Sequence, residues 1–179
     1  ERFGEREFAA DGATLYGTFC AACHGPAGEG RRYPGMPLFP AIGSPDFLAA
    51  ASDDFLTATI RHGRPGRRMP AWGEKEGGLR PAEIKAVVAR LREMGGGVQA
   101  EPDPKPARWV TADVGSGKRL FATYCAGCHG ADGKGGEALA LNNPGLLAAA
   151  TDTCFVRMIG RGRRGTVMDG FEKPSTLHP

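Results

Sequence analysis

The chain has 179 residues and a formal net charge of +3; 41% of its residues are hydrophobic but only 8% are aromatic, which suits one or two small domains with modest cores. Its 28 glycines and 14 prolines indicate a loop-rich fold, short of the composition of a disordered chain. The sequence has no apolar run long enough for a transmembrane segment, and its small net charge without a nucleic-acid motif argues against nucleic acid as a partner.

The pattern C-x-x-C-H occurs twice. Its members are Cys20, Cys23 and His24 in the first copy and Cys125, Cys128 and His129 in the second. A zinc site or a disulfide does not require the adjacent histidine, and no strand-like run precedes either pair, as a redox C-x-x-C would need; C-x-x-C-H is the attachment pattern of haem c. The two thiols can each form a thioether with a haem vinyl group, and the histidine becomes the fifth ligand of the iron. The sequence therefore predicts two covalently bound haem c groups.

Haem attachment also predicts where the protein resides. Bacteria attach haem c outside the cytoplasm, so we expect a periplasmic or extracytoplasmic protein. The chain begins with Glu1 rather than methionine and shows no signal peptide, which indicates a mature or trimmed form.

The two motifs lie within an internal repeat. Residues 15–25 match residues 120–130 at an offset of 105, and residues 47–53 match residues 146–152 at an offset of 99, so the loop between these segments is six residues shorter in the second copy. Short helices are predicted from about residues 12 to 20 and 116 to 125, then after the N-cap residues Ser52 and Thr151, and from Pro81 to the glycines that follow Met94.

Between the copies, residues 99–106 carry prolines at alternate positions, which favours an extended and semi-rigid spacer. The sequence thus predicts an all-α protein with one domain at residues 1–98, a linker at 99–111 and a second domain at 112–179. The second copy stops where the counterpart of the helix at Pro81 would begin. We expect the natural chain to continue beyond Pro179 by about one helix of on the order of 12 residues.

A methionine is a common sixth ligand in electron-transfer haems. Met69 and Met168 align with each other, follow glycine-rich loops and precede an aromatic residue, so we predict them as the distal ligands. His62 is the rival at haem one, although its counterpart is an arginine, and His178 is a weaker rival at haem two. The other methionines are Met36, which has no counterpart, and Met94 and Met158, which we expect to pack in the core.

The segments CAACHG, CAGCHG, RRMPAW and TVMDGF, with the Gly-x-Gly loops after the first two, resemble class I cytochrome c domains. The pair of copies resembles the dihaem cytochrome c families. This resemblance covers nearly all of the chain except the linker and the first ten residues. It implies an all-α fold in which the haem lies between helices with one edge near solvent, and it implies His/Met ligation.

Two features fall outside the repeated pattern. Cys154 aligns with Phe55 and is interpreted as a small buried hydrophobic residue; a bond to another chain and a thiolate ligand to haem two remain alternatives. Arginines also crowd before each predicted distal ligand. They are Arg61, Arg64, Arg67 and Arg68 in the first copy and Arg157, Arg161, Arg163 and Arg164 in the second. They form either a solvated face partly paired with haem propionates or a basic rim that steers an acidic redox partner.

Two irons with both axial positions filled need no substrate pocket. The sequence therefore favours electron transfer between redox partners over catalysis, as a shuttle or as the cytochrome subunit of a respiratory or photosynthetic complex. The alternative is a dihaem redox enzyme that acts at haem two, similar to thiosulfate dehydrogenases or peroxidases.

Overall fold

The structure, a computed structural model, describes residues 11–36, 38–163 and 165–172. Within those residues the regular structure is helical, apart from three isolated β-bridges. The helices of the first repeat are α1 (Gly12–Phe19), α2 (Ala21–His24), α3 (Pro45–Ala50), α4 (Asp53–His62) and α5 (Pro81–Met94). Those of the second are α6 (Val114–Leu120), a π-helical turn (Phe121–Cys125), α7 (Ala126–His129), α8 (Pro144–Ala149) and α9 (Asp152–Arg161). The prediction of an all-α fold is confirmed.

Side-chain caps explain where several helices begin. The Ser52 hydroxyl accepts the N–H of Phe55 at 3.1 Å, and the Thr151 hydroxyl accepts the N–H of Cys154 at 3.1 Å, so α4 and α9 start as the sequence predicts. Helices α3 and α8 were not predicted. Each has six residues and opens with a proline at its first position. Six residues are too few for a periodic pattern to stand out in the sequence.

The first repeat has a core of its own, built where α1 packs against α5. Leu15 and Tyr16 on α1 are each 2% exposed, and α5 buries the predicted stripe of Ile84, Val87, Val88 and Leu91. The Tyr16 hydroxyl donates to the carbonyl of Gly25 at 2.7 Å, which ties α1 to the end of α2.

The corresponding face of the second repeat is open among the described residues. Helix α6 buries no side chain, and Leu120, the counterpart of Leu15, is 51% exposed. Phe121 replaces Tyr16 and has no hydroxyl with which to repeat the bond to the haem-motif helix. The counterpart of the start of α5, at residues 177–179, lies outside the described residues.

The two repeats pack on each other through their short helices. Helix α3 contacts α9, and α4 contacts α8. Because α3 corresponds to α8 and α4 to α9, these contacts are reciprocal, which is the pattern of a two-fold interface. Phe47 and Phe55 from the first repeat, with Ala150 and Cys154 from the second, belong to one continuous buried cluster. Helices this short are not stable alone, so the shared core holds them.

A polar contact closes one side of this interface. The Asn143 side-chain carbonyl caps α8 by accepting the N–H groups of Gly145 and Leu146 at 3.0 and 3.3 Å. Its amide donates across the interface to the carbonyl of Pro65 at 2.8 Å. Asn143 is 4% exposed, and both ends of its side chain are satisfied.

The linker, predicted as an extended and semi-rigid spacer, lies against the second repeat: the carbonyls of Glu101 and Pro102 accept from Arg157 at 3.1 and 2.7 Å. The carboxylate of Asp152 accepts the backbone N–H groups of Trp109 and Val110 at 2.8 and 3.0 Å. The Trp109 indole N–H donates to the Thr153 hydroxyl at 2.8 Å. These contacts depend on residues more than 40 positions apart, which the proline pattern alone does not reveal.

In the first repeat, an arginine binds the corner between α3 and α4. Arg92 on α5 is 5% exposed and donates to the carbonyls of Leu48 and Ala51. It also forms an ion pair with Asp53 at 2.7 Å. The last turn of α3 and the first turn of α4 are therefore held by one guanidinium.

In the second repeat, the linker supplies the equivalent arginine. Arg108 donates to the carbonyls of Leu147 and Ala150 and pairs with Asp152 at 3.3 Å. Each of these partners lies 99 positions after its counterpart in the first repeat. The linker thus stabilises the corner between α8 and α9 through Arg108, as α5 stabilises the corner between α3 and α4 through Arg92.

We expect Arg92→Ala to lower the free energy of unfolding of the first repeat by about 2–3 kcal/mol, because it leaves buried carbonyls without a donor. Arg108→Ala should lower the free energy of unfolding of the second repeat by about 1–2 kcal/mol, since this side chain is half exposed. Amide hydrogen exchange of the holoprotein locates each loss: exchange should rise in α3 and α4 for the first variant and in α8 and α9 for the second. Lys134→Ala, which removes an exposed pair, is the control. Equal changes in both repeats for either arginine variant would contradict the assignment.

Candidate haem sites

Each C-x-x-C-H motif lies on a single helical turn. In the first repeat Cys20 precedes α2, and the N–H of His24 bonds to the carbonyl of Cys20 at 2.9 Å. A glycine with a positive φ ends each turn, Gly25 at 81° and Gly130 at 79°. The left-handed region suits glycine, so the chain can leave the turn immediately after the histidine.

The histidine rings are oriented by backbone carbonyls. The Nδ1 atom of His24 lies 2.9 Å from the carbonyl oxygen of Pro40, and that of His129 lies 2.7 Å from the carbonyl oxygen of Leu139. A carbonyl can only accept, so Nδ1–H donates, and the Nε2 lone pair is left to ligate a metal. No local motif marks these two acceptors in the sequence, although they are related by the same offset of 99 that relates the segments after them.

Burial also keeps the first ring in the form that can bind a metal. Burial lowers the pKa of His24, and the hydrogen bond to Pro40 opposes this shift only in part. A neutral imidazole offers a lone pair, whereas an imidazolium does not. Burial raises the pKa of the Cys20 thiol to about 11, so the free thiol stays protonated at neutral pH.

The glycine-rich loops turn the chain back under each histidine. The N–H of Gly30 donates to the carbonyl of His24 at 2.7 Å, and that of Gly135 donates to His129 at 2.7 Å. At Gly30, where φ is 84°, a Cβ would lie 2.7 Å from the carbonyl oxygen of Phe39. Only glycine fits this approach.

The two predicted distal methionines lie on equivalent loops. The N–H of Arg64 bonds to the carbonyl of Met69 at 2.9 Å, and the N–H of Arg163 bonds to the carbonyl of Met168 at 2.8 Å. Both methionine side chains are half-buried. The structure therefore presents each one on a closed loop after α4 or α9.

The rival ligands occupy other surroundings. His62 is exposed at the end of α4, and Met36 is 41% exposed. Met94 and Met158 pack against the hydrophobic core, as the sequence predicts for both. His178 lies outside the described residues.

Cys154 is buried at the interface of the repeats. It is 4% exposed and belongs to the same apolar cluster as Phe55, the residue with which it aligns. Burial raises the pKa of its thiol to about 11, which disfavours the thiolate that a metal ligand or a reactive cysteine requires. Its surroundings are those of a small core residue.

Several of the arginines clustered before Met69 and Met168 are paired within the chain, so fewer of their charges are unpaired than the sequence indicates. Glu101 of the linker pairs with Arg157 at 3.3 Å and with Arg161 at 2.5 Å. Arg64 turns inward to the Thr59 hydroxyl at 2.8 Å. Arg164 lies outside the described residues.

Arg163 provides a test of whether the sites suit the predicted haem. Its side chain is half-buried, and its buried Nε atom has no hydrogen-bond partner. A haem carries two carboxylates, which are the acceptors and counter-charges that such a group needs. Together with the oriented histidines and the paired thiols, this donor fits an anionic, covalently attached haem.

The second site is more open than the first. His24 is 9% exposed, whereas His129 is only half-buried and Cys128 is exposed. Among the described residues, no helix has the length and apolar character needed to cross a membrane.

Comparison with known proteins agrees with this arrangement. The sequence profile of the family described as cytochrome C oxidase, cbb3-type, subunit III matches residues 7–89 and 112–178, one segment for each repeat. A cbb3-type cytochrome c oxidase subunit FixP from a Bradyrhizobium species is 31% identical over 180 residues, which cover 94% of this chain and 57% of that protein. A CcoP subunit from Rhodobacter capsulatus is 34% identical over 133 residues, covering 69% of this chain and 39% of the relative. The chain thus spans about half the length of these curated relatives.

A solved structure shows the same fold. The chain superposes with a TM-score of 0.53 on a chain of the reducing HAO-like protein complex from Kuenenia stuttgartiensis, at 21% identity and over 90% of this chain and 87% of the other. The prediction of two tandem cytochrome c-like domains and of two haem c groups is confirmed by the two-segment family match. The chain belongs to the family of cbb3-type cytochrome c oxidase subunit III, and it is a c-type cytochrome with two covalently bound haem c groups.

Proposed function

We propose that this chain transfers electrons between redox partners as the dihaem cytochrome part of a cbb3-type oxidase. The observation that carries the proposal is the duplicated geometry. Each repeat has a histidine oriented by a backbone carbonyl, and each has a methionine on an equivalent closed loop after α4 or α9. The names of the FixP and CcoP relatives support the assignment to an oxidase.

In this proposal each site has two cysteines that bind the haem covalently and two axial ligands, a histidine and a methionine. Haem one is bound by Cys20 and Cys23, with His24 and Met69 as axial ligands, and haem two by Cys125 and Cys128, with His129 and Met168 as axial ligands. When bound, haem c supplies a one-electron iron couple, and a methionine ligand raises its reduction potential. The Pro40 and Leu139 carbonyls fix the imidazole orientation, and the closed loops hold the methionine backbones.

The domain organisation in this proposal follows the repeat. Residues 1–98 form the haem-one domain, residues 99–111 the linker and residues 112–179 the haem-two domain. We further propose that the chain works in the periplasm, held at the membrane by partner subunits. Arg68, for which no ion pair occurs among the described residues, would face an acidic redox partner.

The openness of the second site favours one alternative, a redox enzyme that acts at haem two. Cys128 is exposed, and Leu120 and Tyr124 beside the motif are 51% and 50% exposed. The alternative requires an iron whose distal ligand is absent or displaced.

The covalent sites can be counted by chemical analysis. Cys20→Ala combined with Cys23→Ala should halve the covalently bound haem measured by the pyridine haemochrome assay, and Cys125→Ala with Cys128→Ala should do the same. Cys154→Ser is the matched control and should retain both haems and an unchanged optical spectrum. A changed haem-two spectrum in Cys154→Ser would make that residue a ligand.

The distal ligands can be tested by spectroscopy. Met69→Ala and Met168→Ala should each remove half of the far-red Met–iron band and lower one of the two midpoint potentials, because the thioether ligand favours the reduced iron. Met36→Ala and Met158→Leu are controls that should change neither quantity. If the band persists in full in Met69→Ala or Met168→Ala, that methionine is not a ligand.

Electron transfer and catalysis can be separated by turnover. The reduced chain should deliver two electron equivalents per molecule to a cbb3-type oxidase core that lacks this subunit, measured by stopped-flow absorbance. Peroxide and thiosulfate should give no turnover, because both irons are saturated. Steady turnover with either substrate, lost when haem two is removed, would instead establish the enzyme.

A further inference from the structure

Arg163 belongs to the second repeat, but its side chain reaches into the first. Its backbone N–H closes the Met168 loop of its own repeat. Its guanidinium stacks on the Phe47 ring with 4.5 Å between the guanidinium carbon and the ring centroid, and it donates to the carbonyl of Ala41. Both of these partners belong to the first repeat.

The contact ends beside the proximal histidine of the first site. Ala41 directly follows Pro40, whose carbonyl orients the His24 ring at 2.9 Å. The guanidinium is therefore anchored one residue from the group that holds the predicted ligand.

Arg64, the counterpart of Arg163 in the first repeat, does not cross the interface because it has partners within its own repeat. Arg64 donates to the Thr59 hydroxyl at 2.8 Å and lies over the Phe55 ring at 5.7 Å, both on α4 of its own repeat. In the second repeat these two positions are Met158 and Cys154. Neither offers a hydroxyl acceptor or an aromatic face, so Arg163 extends across the interface instead.

No carboxylate among the described residues of the chain cancels the charge that crosses the interface. Among the residues that the structure describes, Arg163 forms no ion pair with a carboxylate, and its buried Nε atom has no partner. A charge that is partly withdrawn from solvent is screened less than an exposed one, so it acts over a longer range.

We propose that Arg163, supplied by the haem-two domain, is a positioning and electrostatic residue of the haem-one centre, where its fixed positive charge favours the reduced iron. The proposal rests on the assignment of haem one to Cys20, Cys23 and His24. A nearby positive charge stabilises the state that holds one more electron. The potential of haem one then depends on the docking of the second domain.

The test is a potentiometric titration of the dihaem protein. Arg163→Gln should lower the ratio of reduced to oxidised haem one at a fixed potential by up to about tenfold, which corresponds to 59 mV for a one-electron couple. Arg163→Lys should retain most of the native ratio, because it keeps the charge. The waves are assigned with the two variants that each lack one pair of motif cysteines.

Arg161→Gln is the matched control. It removes the same formal charge two residues away, from a side chain already paired with Glu101, and should leave the haem-one wave in place. An unchanged wave in Arg163→Gln, an equal shift in Arg161→Gln, or an equal shift in Arg163→Lys would each overturn the proposal.

A second variant keeps the test decisive if Arg163→Gln lowers haem content. Met158→Thr places in the second repeat the hydroxyl that binds Arg64 in the first. Arg163 should then bind this hydroxyl within its own repeat, and the haem-one potential should fall with no change in net charge. In that case an unchanged haem-one wave in Met158→Thr would overturn the proposal. Failure of the proposed function is distinguishable, since the wild type would then lack two low-spin, one-electron waves.

Discussion

The packing of four short helices against one another is the constraint on which the rest of the molecule depends. Helices α3 and α4 meet α9 and α8 in a reciprocal contact, and none of them has enough residues to be stable in isolation. The apolar cluster they share joins the core of the first repeat to the second. The loops that carry Met69 and Met168 begin at the ends of α4 and α9, so the same packing sets the positions of the predicted distal ligands.

The repeats have diverged around this shared core. In the first repeat, α5 covers α1 and supplies Arg92. In the second repeat, Arg108 comes from the linker, and Arg163 bonds to the first repeat instead of its own. Two replacements on α9, Cys154 for Phe55 and Met158 for Thr59, account for the direction of Arg163. Cys154 therefore has a packing role: its small side chain leaves the ring of Phe47 as the surface on which the guanidinium stacks.

Local features of the sequence predicted the local features of the fold. Neighbouring residues determine the attachment motifs, the caps at Ser52 and Thr151 and the helix at Pro81. The motifs and the caps also occur once in each repeat, which strengthens their prediction. The six-residue helices α3 and α8, the carbonyls that orient the histidines and the contacts of the linker depend on residues distant in sequence, so no local pattern could reveal them. The ligand assignments of Met69 and Met168 remain predictions, supported by the equivalence of their loops.

The position of Arg108 also changes the order in which the two domains acquire their stabilising contacts as the chain is synthesised. In the first domain the arginine that binds the corner of α3 and α4 is Arg92, which emerges about 40 residues after that corner begins. In the second domain Arg108 emerges before α8 and α9. The first corner must wait for its C-terminal helix, but the second finds its donor already present. The second domain therefore has the donor for its corner as soon as α9 has emerged and needs no later segment of the chain for that contact.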